Sequence, residues 1–204
     1  SQSKWVAEKL LALAAARGVP LSVYRPARIT GHSVSGTCNT DDFLFRMLKG
    51  CVQLGAYPAF NWLERAAPID FVAAATVAIS MRPHCARHLA FHLVHTEAFA
   101  WADLFEWTRQ LGYQLQRTPL KEWVGKLEAE RDAAVQPEQP NSMLPLLPLL
   151  KEVGLDADVP LFMSDLTTQA LDGTGLRCAP MGRELWSRYM ASLQDVGYLP
   201  RPDA

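Results

Sequence analysis

The sequence lacks most of the features that would announce a partner or a compartment. It has no excess charge: 20 Lys and Arg stand against 21 Asp and Glu, a formal net charge of -1. The general attraction to phosphate on which nucleic-acid binding rests is therefore missing, and no nucleic-acid partner is expected. Its four cysteines, Cys38, Cys51, Cys85 and Cys178, are widely spaced and form no C-x-x-C pair. That argues against a zinc ribbon or a disulfide framework and fits a reducing, cytoplasmic setting. The most apolar run, MLPLLPLL at 143–150, carries two prolines and falls far short of the ~20 residues of a membrane helix. The N-terminus has no signal-peptide layout, so no membrane is expected either. No internal repeat or long low-complexity tract is visible.

What is present is enough for a core. At 204 residues and 49% hydrophobic content the chain fills one to two compact units. From Trp5 to Arg17 the apolar positions Val6, Leu10, Leu13 and Ala14 follow helical spacing, and Gly18 with Pro20 supplies a stop. LSVYRP then alternates as a strand. A second helix is predicted from Asp41 to Leu54, with Asn39, Thr40 and Asp41 as capping candidates and Phe43, Met47, Leu48 and Cys51 as its buried side. Pro68 to Phe71 reads as extended and runs into the helix VAAATVAIS. RHLAFHLVH reads as a strand, and Glu97 to Leu111 returns to helical periodicity.

After Gly112 the texture changes to a short strand, a charged helix from Leu120, a Pro/Gln linker at 136–142 and a last helix from Gly182 to Val196. The alternation predicts an α/β fold, with a boundary between residues 1–111 and a mainly helical subdomain at 112–204.

Several patterns have a bland reading beside a chemical one. Ser1-Gln2-Ser3-Lys4 spells the S-x-x-K of serine acyl-enzymes, but the S-D-N and K-T-G partners of that motif are missing. Locally, Lys4 reads as a solvated helical lysine facing Glu8 at i+4. His84, His88 and His92, with Cys85 alongside, would share a metal only on a helix. On the strand that their neighbours favour, His88 and His92 lie roughly 13 Å apart, too far for one ion, and no metal is expected. Asp41 and Asp42 are adjacent and project in different directions, so capping suits them better than a paired acid and base. Trp101, Trp107, Trp123 and Trp186 read as core. MLPLLPLL reads as a buried loop or as the lining of an acyl channel.

Four ordered segments, SQSKWVAEKL, VYRPARITGHS, NTDDFLFRMLKGCVQLG and APIDFVAAA, together resemble the extended short-chain dehydrogenase/reductase superfamily. The closer resemblance is to the thioester reductase domains that terminate nonribosomal peptide synthetases, polyketide synthases and carboxylic acid reductases. It covers essentially the whole chain.

The resemblance implies the C-terminal portion of a Rossmann-like cofactor domain with substrate-arm insertions over 1–111, and a substrate and carrier subdomain over 112–204. It makes Lys4 the lysine of a Y-x-x-x-K motif whose tyrosine falls one position before Ser1. It sets Pro26, Ala27, Arg28 and Ile29 against the nicotinamide ribose, and His32, Ser33, Asp42, Phe43, Met47 and Asp70 on the substrate side. The plainer alternative for Asp70 is an N-cap.

The implied cofactor of the intact parent is NADPH. The implied partners are an acyl or peptidyl carrier protein with its phosphopantetheine arm and the upstream modules of a multidomain synthetase. Arg46 with Lys49, or Arg109 with Lys121 and Lys126, are candidate carrier contacts. The expected reaction is reduction of a carrier-bound thioester to an aldehyde or onward to an alcohol. The chain alone, without the tyrosine or a glycine-rich turn, is expected to be inactive. The alternatives are a catalytically silent docking module and a sugar-nucleotide epimerase or dehydratase of the same superfamily.

Overall fold

A computed structural model of the chain describes residues 2–82, 89–133, 139–153 and 162–202. The chain opens with α1 (Gln2–Ala16), then β1 (Ser22–Pro26), β2 (Arg28–Thr30), α2 (Phe43–Leu54), β3 (Ala56–Ala59), β4 (Leu63–Glu64) and β5 (Ala66–Pro68). There follow α3 (Ile69–Ser80), β6 (Leu89–Leu93), β7 (Phe99–Ala100), α4 (Trp101–Gln110), β8 (Gln116–Pro119) and α5 (Leu120–Arg131). A 3-10 turn (Leu144–Leu146) leads into α6 (Leu147–Val153), α7 (Asp165–Ala170) and α8 (Arg183–Asp195). Three strand pairs, β1–β6, β2–β5 and β3–β8, are parallel, and among the described residues only β4–β7 is antiparallel. The fold is α/β, as the alternation predicts.

The chain divides into two units, but not at a single point near residue 112. One unit gathers residues 1–30, 65–97 and 161–180, and the other 31–64, 98–160 and 181–204. The difference has a physical cause: parallel partners must come from distant parts of the sequence. Thus β3 pairs with β8 and β1 with β6, and the chain passes between the units several times.

In the first unit Phe71, Val72, Ala75 and Ile79 from α3 pack with Phe91 and Leu93 of β6 and with Ala170 and Leu171 at the end of α7. Tyr24 of β1 stacks on Phe91 with ring centroids 5.9 Å apart. The Thr167 hydroxyl donates to the His92 carbonyl at 2.8 Å, and Phe162 stacks on the His92 ring. These contacts fasten α7 to the β6 side. Helix α1 ends where predicted, with Gly18 at φ +88 and the Val19 N–H returning to the Ala14 carbonyl.

In the second unit large aromatic side chains are buried with their polar ends satisfied. The Trp123 indole donates to the Ala56 carbonyl at 3.0 Å. The Trp186 indole donates to the Thr108 hydroxyl at 3.0 Å, and that hydroxyl donates to the Leu104 carbonyl. The Tyr189 hydroxyl donates to the Gly31 carbonyl at 2.9 Å. Each bond removes the penalty of burying a polar group, so the apolar area can stabilise. Helix α8 buries Leu185, Trp186, Tyr189, Met190 and Leu193, each contributing roughly 1.5–3 kcal/mol.

Several details differ from expectation. Helix α2 starts at Phe43, and its cap is Asp42, whose carboxylate accepts from the Leu44 N–H at 2.9 Å. Asn39 instead accepts from the Asp41 N–H. The cap falls on Asp42 because its backbone is extended (φ -67, ψ 145) and its carboxylate reaches the Leu44 N–H. Helix α3 starts behind Pro68, which leaves Asp70 in the first turn and not at the cap. Trp101, Trp123 and Trp186 are buried, whereas Trp107 is half-buried. In the apolar run, Met143, Leu147 and Leu150 are buried and Leu149 is exposed. Residues 134–138, which include part of the expected linker, lie outside the described residues.

Candidate functional site

In the first unit the chain changes strand pair at a single residue. Pro26 is the last residue of β1, opposite Leu93 of β6, and Arg28 opens β2, opposite Ala66 of β5. Ala27 stands between, its N–H donating to the Leu93 carbonyl at 3.4 Å. Pro26 has no N–H to give to a ladder, so the β1 pairing ends there. Pro26 and Ile29 are exposed and Ala27 and Arg28 half-buried, so the switch lies at the surface of the unit.

Lys4 is exposed in the first turn of α1. The expected Lys4–Glu8 pair does not form. Glu8 is taken instead by Arg25 of β1, whose Nε donates at 3.0 Å while Nη2 meets the second carboxylate oxygen. This two-point contact ties α1 to the end of β1 and holds the Glu8 carboxyl below its ordinary range. Lys4 is left without an ion-pair partner among the described residues. Asp70 is half-buried, and its charge adds to burial in pushing the Cys178 thiol up to about 12.

In the second unit His32 and Ser33 belong to a tight turn. His32 Nδ1 accepts from the Val34 and Ser35 N–H groups at 3.1 and 3.3 Å, which leaves the ring's proton to Nε2. The Ser33 carbonyl accepts from the Arg188 guanidinium of α8. Gly31 has no room for a side chain: an added Cβ would sit 2.7 Å from Cys38 Sγ and 2.8 Å from a Tyr189 ring carbon.

Asp42 spends one carboxylate oxygen on capping. Phe43 meets Trp62 edge-on at 6.4 Å and Trp101 at 5.9 Å, with Phe60 against both indoles. Met47 is fully buried in the core of α2. Trp62 was missed by sequence reasoning, because NWLER carries no periodicity to mark it. It is half-buried beside Phe43, and its indole nitrogen has no hydrogen-bond partner among the described residues.

The basic clusters divide. Arg109 pairs with Glu106 at 2.8 Å and Lys126 with Glu122 at 3.8 Å, so neighbours on the same helices neutralise them. Lys49 lies over the Tyr198 ring at 4.5 Å, and neither it nor Arg46 has a carboxylate partner among the described residues.

Cys38, Cys51 and Cys178 are free thiols. Burial pushes Cys38 up to about 12 and Cys51 well upward, so neither is a nucleophile at neutral pH. Among the described residues no group of three or more His, Cys, Asp or Glu is placed to hold a metal. His84, Cys85 and His88 lie outside the described residues. Among the described residues, no helix is long and apolar enough to cross a membrane.

Comparison with known proteins gives this geometry a context. An NAD-binding family model described as Male sterility protein matches residues 1–76. The chain is 30% identical over 199 residues to a subunit of the linear gramicidin synthase of Brevibacillus parabrevis, covering 98% of this chain and 4% of that protein. It is 33% identical over 215 residues to the L-2-aminoadipate reductase large subunit of Candida glabrata, covering 98% of this chain and 15% of that one. Among solved structures, the terminal R domain of the myxalamid PKS-NRPS pathway superposes with a TM-score of 0.89 at 36% identity, over 99% of this chain and 50% of that one. This chain thus spans half of that R domain and a small part of the curated relatives. It belongs to the family of terminal reductase domains of nonribosomal peptide and polyketide synthetases, with a Rossmann-like fold of the extended short-chain dehydrogenase/reductase kind.

Proposed function

We propose that this chain is the lysine-bearing part of an NADPH-dependent thioester reductase that releases an acyl or peptidyl chain from a carrier protein as an aldehyde. The observation that carries the reading is the match of nearly the whole chain to a terminal R domain at 36% identity. NADPH supplies a hydride to the thioester carbonyl carbon. The residues present suit the ribose end of such a cofactor: an ammonium at Lys4 with no ion-pair partner among the described residues, and exposed residues at 26 and 29. They do not suit its pyrophosphate, since the sequence has no G-x-G-x-x-G turn.

Lys4 holds a positive charge beside the proton donor, a tyrosine supplied from outside this chain, and eases transfer of its proton to the carbonyl oxygen. The carrier thiol then leaves as the aldehyde forms. The 31–37 turn and Phe43 shape the substrate side, with Trp62 added to the expected set. Asp42 serves by fixing the start of α2. Asp70, half-buried in the first turn of α3, belongs to the substrate side in this reading. Met47 acts from within the core.

The exposed apolar residues of α1, Trp5, Leu10 and Leu13, are in this reading covered by the cofactor-binding half of the reductase. The acidic carrier docks on the Arg46 and Lys49 face, where neither cation is held in an ion pair among the described residues. The synthetases and reductases among the relatives favour thioester reduction over a sugar-nucleotide epimerase.

The test is aldehyde formation from a carrier-bound acyl thioester by the reductase extended through its cofactor-binding half. Lys4→Ala is expected to lower the rate by about a hundredfold or more. An unchanged rate would remove Lys4 from the mechanism.

A further inference from the structure

The reductase reading leaves unused a cavity of about 430 Å³ in the first unit. Its floor is apolar: Phe71, Val94 and Leu171 are each no more than 8% exposed. Its rim is not. Ser164 is 8% exposed and uses its carbonyl to hold Thr168, while its hydroxyl has no hydrogen-bond partner among the described residues. Asp172, in the turn that follows α7, and Arg177, just beyond it, both line the cavity. Thr174 braces that turn, its hydroxyl donating to the Leu171 carbonyl at 2.6 Å and accepting from the Leu176 N–H. The Asp172 carbonyl is held by Arg82 at 2.7 Å, which fixes the near end. Neither the Asp172 carboxylate nor the Arg177 guanidinium forms an ion pair, with the other or with any described residue.

A purely apolar ligand would leave both charges unused. A simple anion would meet Arg177 but be repelled by Asp172, and a simple amine the reverse. A ligand that carries one charge of each sign on an apolar body matches both charges and the apolar floor. We propose that this cavity binds a free α-amino acid with an apolar side chain. Its carboxylate meets Arg177, its ammonium meets Asp172, the Ser164 hydroxyl bonds the carboxylate, and the side chain lies on Phe71, Val94 and Leu171. Pockets of this size and mixed lining take small molecules. The proposal does not rest on the reductase reading, and either can fail without the other.

Calorimetric titration of the full 204-residue chain with L-phenylalanine, phenethylamine and 3-phenylpropionate tests it. L-Phenylalanine is expected to bind about tenfold more tightly than either singly charged analogue, one charge-assisted contact being lost in each. Arg177→Gln should erase its advantage over phenethylamine, and Asp172→Asn its advantage over 3-phenylpropionate. Both side chains are exposed, so both variants should keep the parent's circular dichroism spectrum and melting temperature. No binding of L-phenylalanine, equal binding of all three compounds, or an unchanged preference in both variants would overturn the proposal.

Discussion

Helices α1 and α8 look alike in sequence and end in opposite circumstances. Both are long, both carry apolar residues at helical spacing, and both include a tryptophan. Helix α8 buries five side chains, with Trp186 1% exposed. Helix α1 buries none, and its Trp5 is 64% exposed. Periodicity therefore reports that a helix has an apolar stripe, not that the same chain covers it. A stripe left open on this scale marks a surface built for a partner, which in the reading above is the cofactor-binding half of the reductase.

The largest effects should come from the covered helix. Trp186→Ala should cost about 3–5 kcal/mol in urea denaturation, from the lost side chain and the indole hydrogen bond that the Thr108 hydroxyl no longer accepts. Leu10→Ala and Leu13→Ala should each stay within about 0.5 kcal/mol in this chain. In the extended reductase the same two changes should rise to about 2 kcal/mol or more as the stripe becomes core. If they stay silent there, α1 is not covered as proposed.

Gly31→Ala comes next. Its Cβ would meet Cys38 Sγ, the Thr37 carbonyl and the Tyr189 ring at 2.7–2.8 Å, so a loss of about 1–3 kcal/mol is expected in the same assay. Asp42→Ala should cost about 1 kcal/mol, while Asp42→Asn keeps the cap and most of the stability. A loss as large for Asn as for Ala would mean that charge, not capping, is what Asp42 contributes.

The smallest effect belongs to the Glu8–Arg25 contact at the open end of α1. Because the folded-state carboxyl of Glu8 is lowered, mainly by its hydrogen bond from Arg25, its contribution is present above the unfolded value of about 4.3. It is lost as pH falls through the folded value. Both groups face solvent, so the difference in melting temperature between the parent and Glu8→Gln should be slight near neutrality. It should shrink in high salt and vanish in acid.

Much of the fold was legible because periodicity is local. Helices α1 to α5 and α8, the LSVYRP and LAFHL strands and the glycine stop after α1 all rest on neighbours in sequence, whereas α6 forms in a run read as a loop and α7 was not foreseen. What was not legible depends on distant pairing. The two interleaved units follow from β1 with β6 and β3 with β8, which join residues about sixty apart or more. Glu8 was expected to face Lys4, four residues away, and found Arg25 instead, because a strand set beside the helix offers a two-point contact that the ammonium does not. The site was legible in part: the motif marked residues 26–29 in the sequence, but that the chain changes strand pair there is seen only in the structure. Trp62 was not marked, since only the folded chain brings it to Phe43.

The reductase reading stands or falls on NADPH binding, measured by calorimetry on this 204-residue chain and on the reductase extended through its cofactor-binding half. Saturable binding is predicted for the extended protein and none for this chain, because in the proposed reading Lys4 and residues 26–29 face only the ribose end of the cofactor and the sequence has no G-x-G-x-x-G turn. Equal affinity in the two proteins would contradict it.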